Sequence, residues 1–173
     1  MKKPFTTFVF ALFSTLTVGP GFFSMVAAEE PTSSAPLFAA TLSDIDDKPV
    51  ALERYKGKPL VVNFWARWCG PCRAEIPELI KFRAAHKGKI EVLGIGIEDK
   101  VESAKDFVKA YEMDYPVFIA KEQGIPLMQA LANTKGGLPY TLFIDRNGRI
   151  IQKKLGLVKK ADLDAAALLL LKN

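Results

Sequence analysis

Cysteine is scarce in this chain: the 173 residues hold two, Cys69 and Cys72, three positions apart. So sparse a set excludes a disulfide framework that staples a small fold together. It also leaves a zinc centre short of its usual four ligands. The lone histidine, His86, falls at the far end of the helix expected after the cysteines and reads as a surface residue. Dense runs of one charge are absent too. The formal charge is +5, but setting aside Lys2 and Lys3 leaves 22 basic against 19 acidic residues, interspersed. A nucleic-acid surface is therefore poorly supported, and a solvated mixed-charge surface is expected. No internal repeat or low-complexity tract is visible. At this length one domain buries a hydrophobic core without staples.

Charge disappears altogether from Pro4 through Ala28. Lys2 and Lys3 precede an apolar run, Phe5–Val18, then Gly19–Pro20–Gly21 and the small residues Val26–Ala27–Ala28. This is the pattern of an export signal cut after Ala28. The uncharged stretch is also long enough to span a bilayer as a retained anchor, with the lysines holding the N-terminus in the cytoplasm. Gly19–Pro20–Gly21 weakens a continuous helix and favours cleavage. Both readings place the domain outside the cytoplasm, in the periplasm or at the outer face of the inner membrane, and the membrane is met only through this segment if it is uncut. The expected organisation is a signal peptide or anchor over residues 1–28, a linker over 29–36 and one domain over 37–173. An exported chain with only two cysteines points to catalytic sulfur.

Within the domain, Leu37–Leu42 and Pro49–Leu52 read as a β-hairpin. Leu60–Trp65 is a β-branched and aromatic run suited to a strand buried on both faces. A helix follows over Cys72–Lys87, with Pro77 expected to kink it. Ile90–Ile97 reads as a second core strand, Lys100–Met113 as an amphipathic helix, Pro116–Ala120 as a strand and Ile125–Ala132 as a short helix. Leu138–Asp145 and Arg149–Lys154 form a hairpin around Asn147–Gly148. Asp162–Leu171 closes the chain as a helix whose Leu168–Leu171 run is read as packing, being too short to span a membrane. The order βαβαβαββα after a hairpin predicts an α/β fold, a central mixed sheet flanked by helices.

A Cys-x-x-Cys pair directly after a buried strand and at the start of a helix is a redox arrangement. Helix N-terminal amides carry partial positive charge and stabilise a thiolate on Cys69, lowering its pKa to roughly 7 or below. Cys69 is the expected nucleophile and Cys72 the resolving thiol. A structural disulfide at this spacing closes too small a loop to remove much unfolded-state entropy.

The context Phe64–Trp65–Ala66–Arg67–Trp68–Cys69–Gly70–Pro71–Cys72–Arg73 resembles the active site of thioredoxin, and Leu138–Pro139 before Tyr140–Thr141–Leu142–Phe143 is similar to that family's cis-proline loop. The resemblance implies a thioredoxin-like fold, with Trp68, Gly70, Pro71, Leu138 and Pro139 meeting the substrate and Pro139 in the cis form. It departs from cytosolic thioredoxin at Asn63, where the family has a buried acid. Asparagine takes no proton, so a base for Cys72 must lie elsewhere or be water. A longer central insertion, the N-terminal hairpin and the export signal are similar to the TlpA/ResA group of extracytoplasmic thiol–disulfide oxidoreductases. In some members of that group a glutamate from the insertion lies near the cysteines, and Glu98 is the matching position, a candidate proton shuttle against the alternative of an exposed loop acid.

The resemblance further implies a reductase of protein disulfides, with apocytochrome c cysteines or copper-centre assembly proteins as typical substrates and a membrane thiol transporter of the DsbD/CcdA kind as electron donor. No cofactor beyond the Cys69–Cys72 disulfide, no metal and no nucleic acid is implied. The competing functions are a disulfide-forming oxidant and a non-catalytic metal-assembly chaperone. The second needs a different cysteine spacing and a downstream histidine that the chain lacks. A thiol peroxidase is disfavoured because no cysteine stands outside the pair.

Overall fold

A computed structural model describes residues 33–172; the expected export segment and its cleavage point lie outside the described residues. A short helix α1 (Ala35–Ala39) leads into the hairpin β1 (Thr41–Asp44) and β2 (Pro49–Ala51), followed by a 3₁₀ turn at Leu52–Tyr55. Then come β3 (Leu60–Trp65), α2 (Gly70–Ala85), β4 (Glu91–Gly96), α3 (Val101–Ala110), β5 (Val117–Ile119), α4 (Gly124–Ala130), β6 (Tyr140–Ile144), β7 (Ile150–Leu155) and α5 (Lys160–Leu170). The seven strands form one sheet in the order β2-β1-β5-β4-β3-β6-β7. Pairs β3/β4 and β4/β5 are parallel, and the remaining pairs are antiparallel. The predicted mixed sheet and element order are both observed.

Two stretches differ from expectation. The residues read as the end of a linker are folded from Ser33 onward. Ser33 bridges to Arg149, and the buried Ser34 hydroxyl donates to the Gly148 carbonyl. Pro36, which has no amide hydrogen to lose, sits in the first turn of α1, so Leu37 is helical rather than the start of a strand. At the other end, Leu170 packs in the core, whereas Leu168 is 67% and Leu171 43% exposed. Four consecutive leucines point all around a helix, and α5 has one face on the sheet, so the run is only partly packing.

All six β3 residues are buried, and their alternation divides the core. Leu60, Val62 and Phe64 face α1 and α4. Val61 and Trp65 face α2, α3 and α5, and the period of two puts Asn63 on this same side. Against this face α2 presents Cys72, Glu75, Ile76, Leu79 and Phe82. Pro77 lies within α2 on its exposed side, which removes one helix hydrogen bond without disturbing the packed stripe. Gly94 and Gly96 on β4 make room for the Trp65 ring. A Cβ at Gly96 would meet Trp65 at 3.1 Å and Ile119 at 3.0 Å. Trp65 in turn stacks on Phe107 of α3 with ring centroids 4.9 Å apart. The central insertion is thereby tied to the strand that leads into the cysteines.

Candidate active site

Parallel strands β3 and β4 end at Trp65 and Gly96 on the same edge, and β6 begins at Tyr140 opposite Phe64. Everything that follows β3 or precedes β6 therefore gathers at one end of the sheet. Cys69, Trp68 and Pro139 were predicted to act together, and this register brings their segments together. The Leu138–Pro139 peptide bond is cis. Pro139 is buried with its carbonyl accepting from Gly156, and Leu138 touches both core clusters. Trp68 stands out from the surface at 72% exposure, and Gly70 and Pro71 are exposed on the first turn of α2.

Cys69 and Cys72 are joined in a disulfide. Cys69 is the N-cap of α2, and the Cys72 N–H donates to its Sγ at 3.2 Å. A sulfur atom thus occupies the place usually held by a Ser or Asp oxygen, at the positive end of the helix. Cys69 is 6% exposed and Cys72 1%, which makes Cys69 the more approachable sulfur. On reduction, charge left on Cys69 meets an amide already aimed at it.

Asn63 is fully buried and holds the carboxylate of Glu75. Its Nδ2 donates to Glu75 Oε1 at 2.6 Å and to Thr141 Oγ1 at 3.0 Å. The Val158 N–H donates to Glu75 Oε2 at 2.8 Å. Glu75 has no exposed surface, and burial pushes its pKa up to about 7, against the two hydrogen bonds that favour the charged form. It lies one turn after Cys72 on the same buried stripe, where side chains three residues apart sit about 5–6 Å from each other. Asn63 Oδ1 has no partner, so turning its amide over would let it accept from a protonated Glu75. The asparagine suits either protonation state of the acid.

The sequence reading missed Glu75. Its signal was present: an acid within the apolar stripe Cys72–Ile76–Leu79 is out of place unless something buries it usefully. Glu98 is also buried, 7% exposed, but both of its oxygens are engaged by Arg67. The Arg67 N–H donates to Oε1 at 2.6 Å and Nε to Oε2 at 3.2 Å. Glu98 therefore ties down the segment entering the cysteine turn. Its position is that of a loop anchor. His86 caps the far end of α2, with Nδ1 3.0 Å from the Phe82 carbonyl. Among the described residues no group of three or more His, Cys, Asp or Glu side chains is arranged to hold a metal ion.

The profile of the AhpC/TSA family matches residues 31–153. Two Bacillus cereus proteins named thiol-disulfide oxidoreductase ResA, from strains ATCC 10987 and ZK, are 32% and 31% identical over 149 residues, 86% of this chain and 83% of theirs. Among solved structures, a thiol:disulfide interchange protein of the thioredoxin family from Chlorobium tepidum is 29% identical, with a TM-score of 0.67 over 76% of this chain and 92% of that one. A secreted thiol-disulfide isomerase from Corynebacterium glutamicum is 26% identical, with a TM-score of 0.62 over 78% and 84%. The chain belongs to the thioredoxin-like AhpC/TSA family and, within it, is a thiol–disulfide oxidoreductase of the ResA type.

Proposed function

We propose that this oxidoreductase works outside the cytoplasm as a reductase of protein disulfides, with Cys69 as nucleophile and Cys72 as resolving thiol. The Cys72 N–H aimed at Cys69 Sγ carries the assignment of roles, because it stabilises negative charge on that sulfur alone. The Cys69 thiolate attacks a substrate disulfide, forming a mixed disulfide and releasing one substrate thiolate, which takes up a proton. Cys72, deprotonated, then attacks Cys69 Sγ. The intramolecular disulfide closes, the second substrate thiol leaves, and two electrons have passed to the substrate. Glu75 accepts the Cys72 proton, since an acid with a pKa near 7 gains and loses a proton readily at neutral pH. The exposed Trp68 and the Leu138–Pro139 loop flank the approaching chain.

The reducing direction is supported by the Gly70–Pro71 dipeptide, similar to that of reducing thioredoxins. Export is supported by the charge-free stretch after Lys2–Lys3 and by the secreted relative. Substrates in cytochrome c maturation, and a membrane electron donor of the DsbD/CcdA kind, follow from the resemblance to the TlpA/ResA group. A Cys72→Ala variant expressed in the native compartment tests the reading, for it should accumulate mixed disulfides on Cys69 that name the substrates. Capture of no partner would refute it. Equilibration with glutathione separates reductase from oxidant, because the range from thioredoxin to DsbA potentials is about 150 mV, or about 7 kcal/mol.

A further inference from the structure

The end of the sheet opposite the cysteines carries a second organised surface. Lys58 precedes β3 and Lys89 precedes β4, while Arg146 follows the antiparallel β6, so strand direction delivers all three to one face. They line a cleft of about 450 Å³ together with Gly57, Glu91 and Leu171. No ion pair joins Lys58, Lys89 or Arg146 to a carboxylate among the described residues. Lys58 lies over the Tyr55 ring, 5.7 Å from its centre. Lys87 and Lys172 are exposed in the adjoining turn and after α5. Glu91 is the acid of the cleft, and Lys56 beside it is neutralised by Glu53 at 2.9 Å. Cations therefore outnumber acids on this face. Leu171 and Leu168 stand 43% and 67% exposed where α5 ends beside it.

The chain also enters the fold here. A neighbouring cleft is lined by Ser33, Lys56 and Gly148 and shares Gly57 and Arg146 with the first. In sequence only residues 29–32 separate Ser33 from the charge-free stretch ending at Ala28. Retained as an anchor, that stretch would hold this face within about 18 Å of the bilayer, the reach of the fully extended connection.

We propose that this face docks on anionic phospholipid headgroups. Lys58, Lys87, Lys89, Arg146 and Lys172 meet the phosphates, and Leu168 and Leu171 sit at the level of the acyl boundary. Basic residues held close to an anionic bilayer each add attraction that decays within a Debye length. Apolar side chains on a basic face add the anchoring that charge alone lacks. The six-residue strand β3 spans about 20 Å from this face to the cysteines. Docking in this orientation turns Cys69 and Trp68 away from the lipid, toward substrates arriving from the aqueous side.

The test uses the full chain in nanodiscs, comparing phosphatidylcholine alone with mixed phosphatidylglycerol and phosphatidylcholine, read by amide hydrogen exchange. Slower exchange over residues 57–60, 87–91 and 145–148 on the mixed discs only, lost in a Lys58→Glu/Lys89→Glu/Arg146→Glu variant and at high salt, is the expected result. Reduction of a soluble disulfide substrate at the wild-type rate shows that the variant is folded, since none of the three residues touches the redox site. Equal exchange on both discs would overturn the proposal. So would protection in detergent that rises with protein concentration, because the face would then bind a second copy of the chain.

Discussion

Replacing Glu75 by Gln probes the acid beneath the cysteines through the dependence of stability on pH. The group ionises with an ordinary pKa of 4.5 when the chain is unfolded, and burial raises this to about 7 in the fold. Between those values the folded state holds a proton that the unfolded state has lost. Stability therefore falls as pH rises from about 4.5 to about 7, and is flat on either side. A difference of about 2.5 units corresponds to about 3 kcal/mol at roughly 1.4 kcal/mol per unit. Gln carries no charge at any pH, and its amide finds an acceptor in Asn63 Oδ1 once the asparagine turns over. The variant should thus gain about 3 kcal/mol relative to the wild type between pH 4 and pH 8, whatever the offset between them at pH 4. Urea unfolding of both oxidised proteins at a series of pH values measures this, and effects of other titrating groups cancel in the difference. A difference that stays constant across the range would refute the reasoning, for it would mean that Glu75 is charged in the fold at acidic pH as it is in water.

Glu75 and Glu98 also separate in turnover. Glu75→Gln should slow closure of the Cys69–Cys72 disulfide from a mixed disulfide and displace the pH profile, whereas Glu98→Gln should leave the profile in place because Glu98 is engaged with Arg67; stopped-flow measurement across pH distinguishes the two. Gly96→Ala should cost about 1–3 kcal/mol, since its Cβ would lie 3.0 Å from Ile119 and 3.1 Å from the buried Trp65 ring, as read from the denaturation midpoint. Asp145→Ala should cost about 1–3 kcal/mol or more, because Asp145 Oδ1 accepts from the backbone of Asn147 and Arg149 and Oδ2 from the Arg149 guanidinium, and thermal unfolding reports the loss.

Much of the fold was legible because its signals are local. The Leu60–Trp65 run reads as a doubly buried strand, Asn147–Gly148 as a turn, and Cys69–Gly70–Pro71–Cys72 as a helix start, each from a few adjacent residues. Errors fell where two local readings compete, as at Leu37, where an apolar residue suits a strand but Ala35–Pro36 starts a helix. They fell also where an amphipathic pattern breaks down, as at Leu168–Leu171, because four leucines in a row do not say which one faces the core.

Sequence by itself determined the chemistry: two sulfurs at this spacing after a buried strand, at a helix N-terminus, are set by contacts within a few residues. Tertiary structure alone decided which acid is buried one turn behind them and which is tied into a loop. Glu75 is held by Asn63 from the neighbouring strand and by Val158, 83 positions away, while Glu98 is claimed by Arg67, 31 positions away. A carboxylate's proton affinity depends on which dipoles and how much water surround it, and those neighbours are chosen only when distant segments pack.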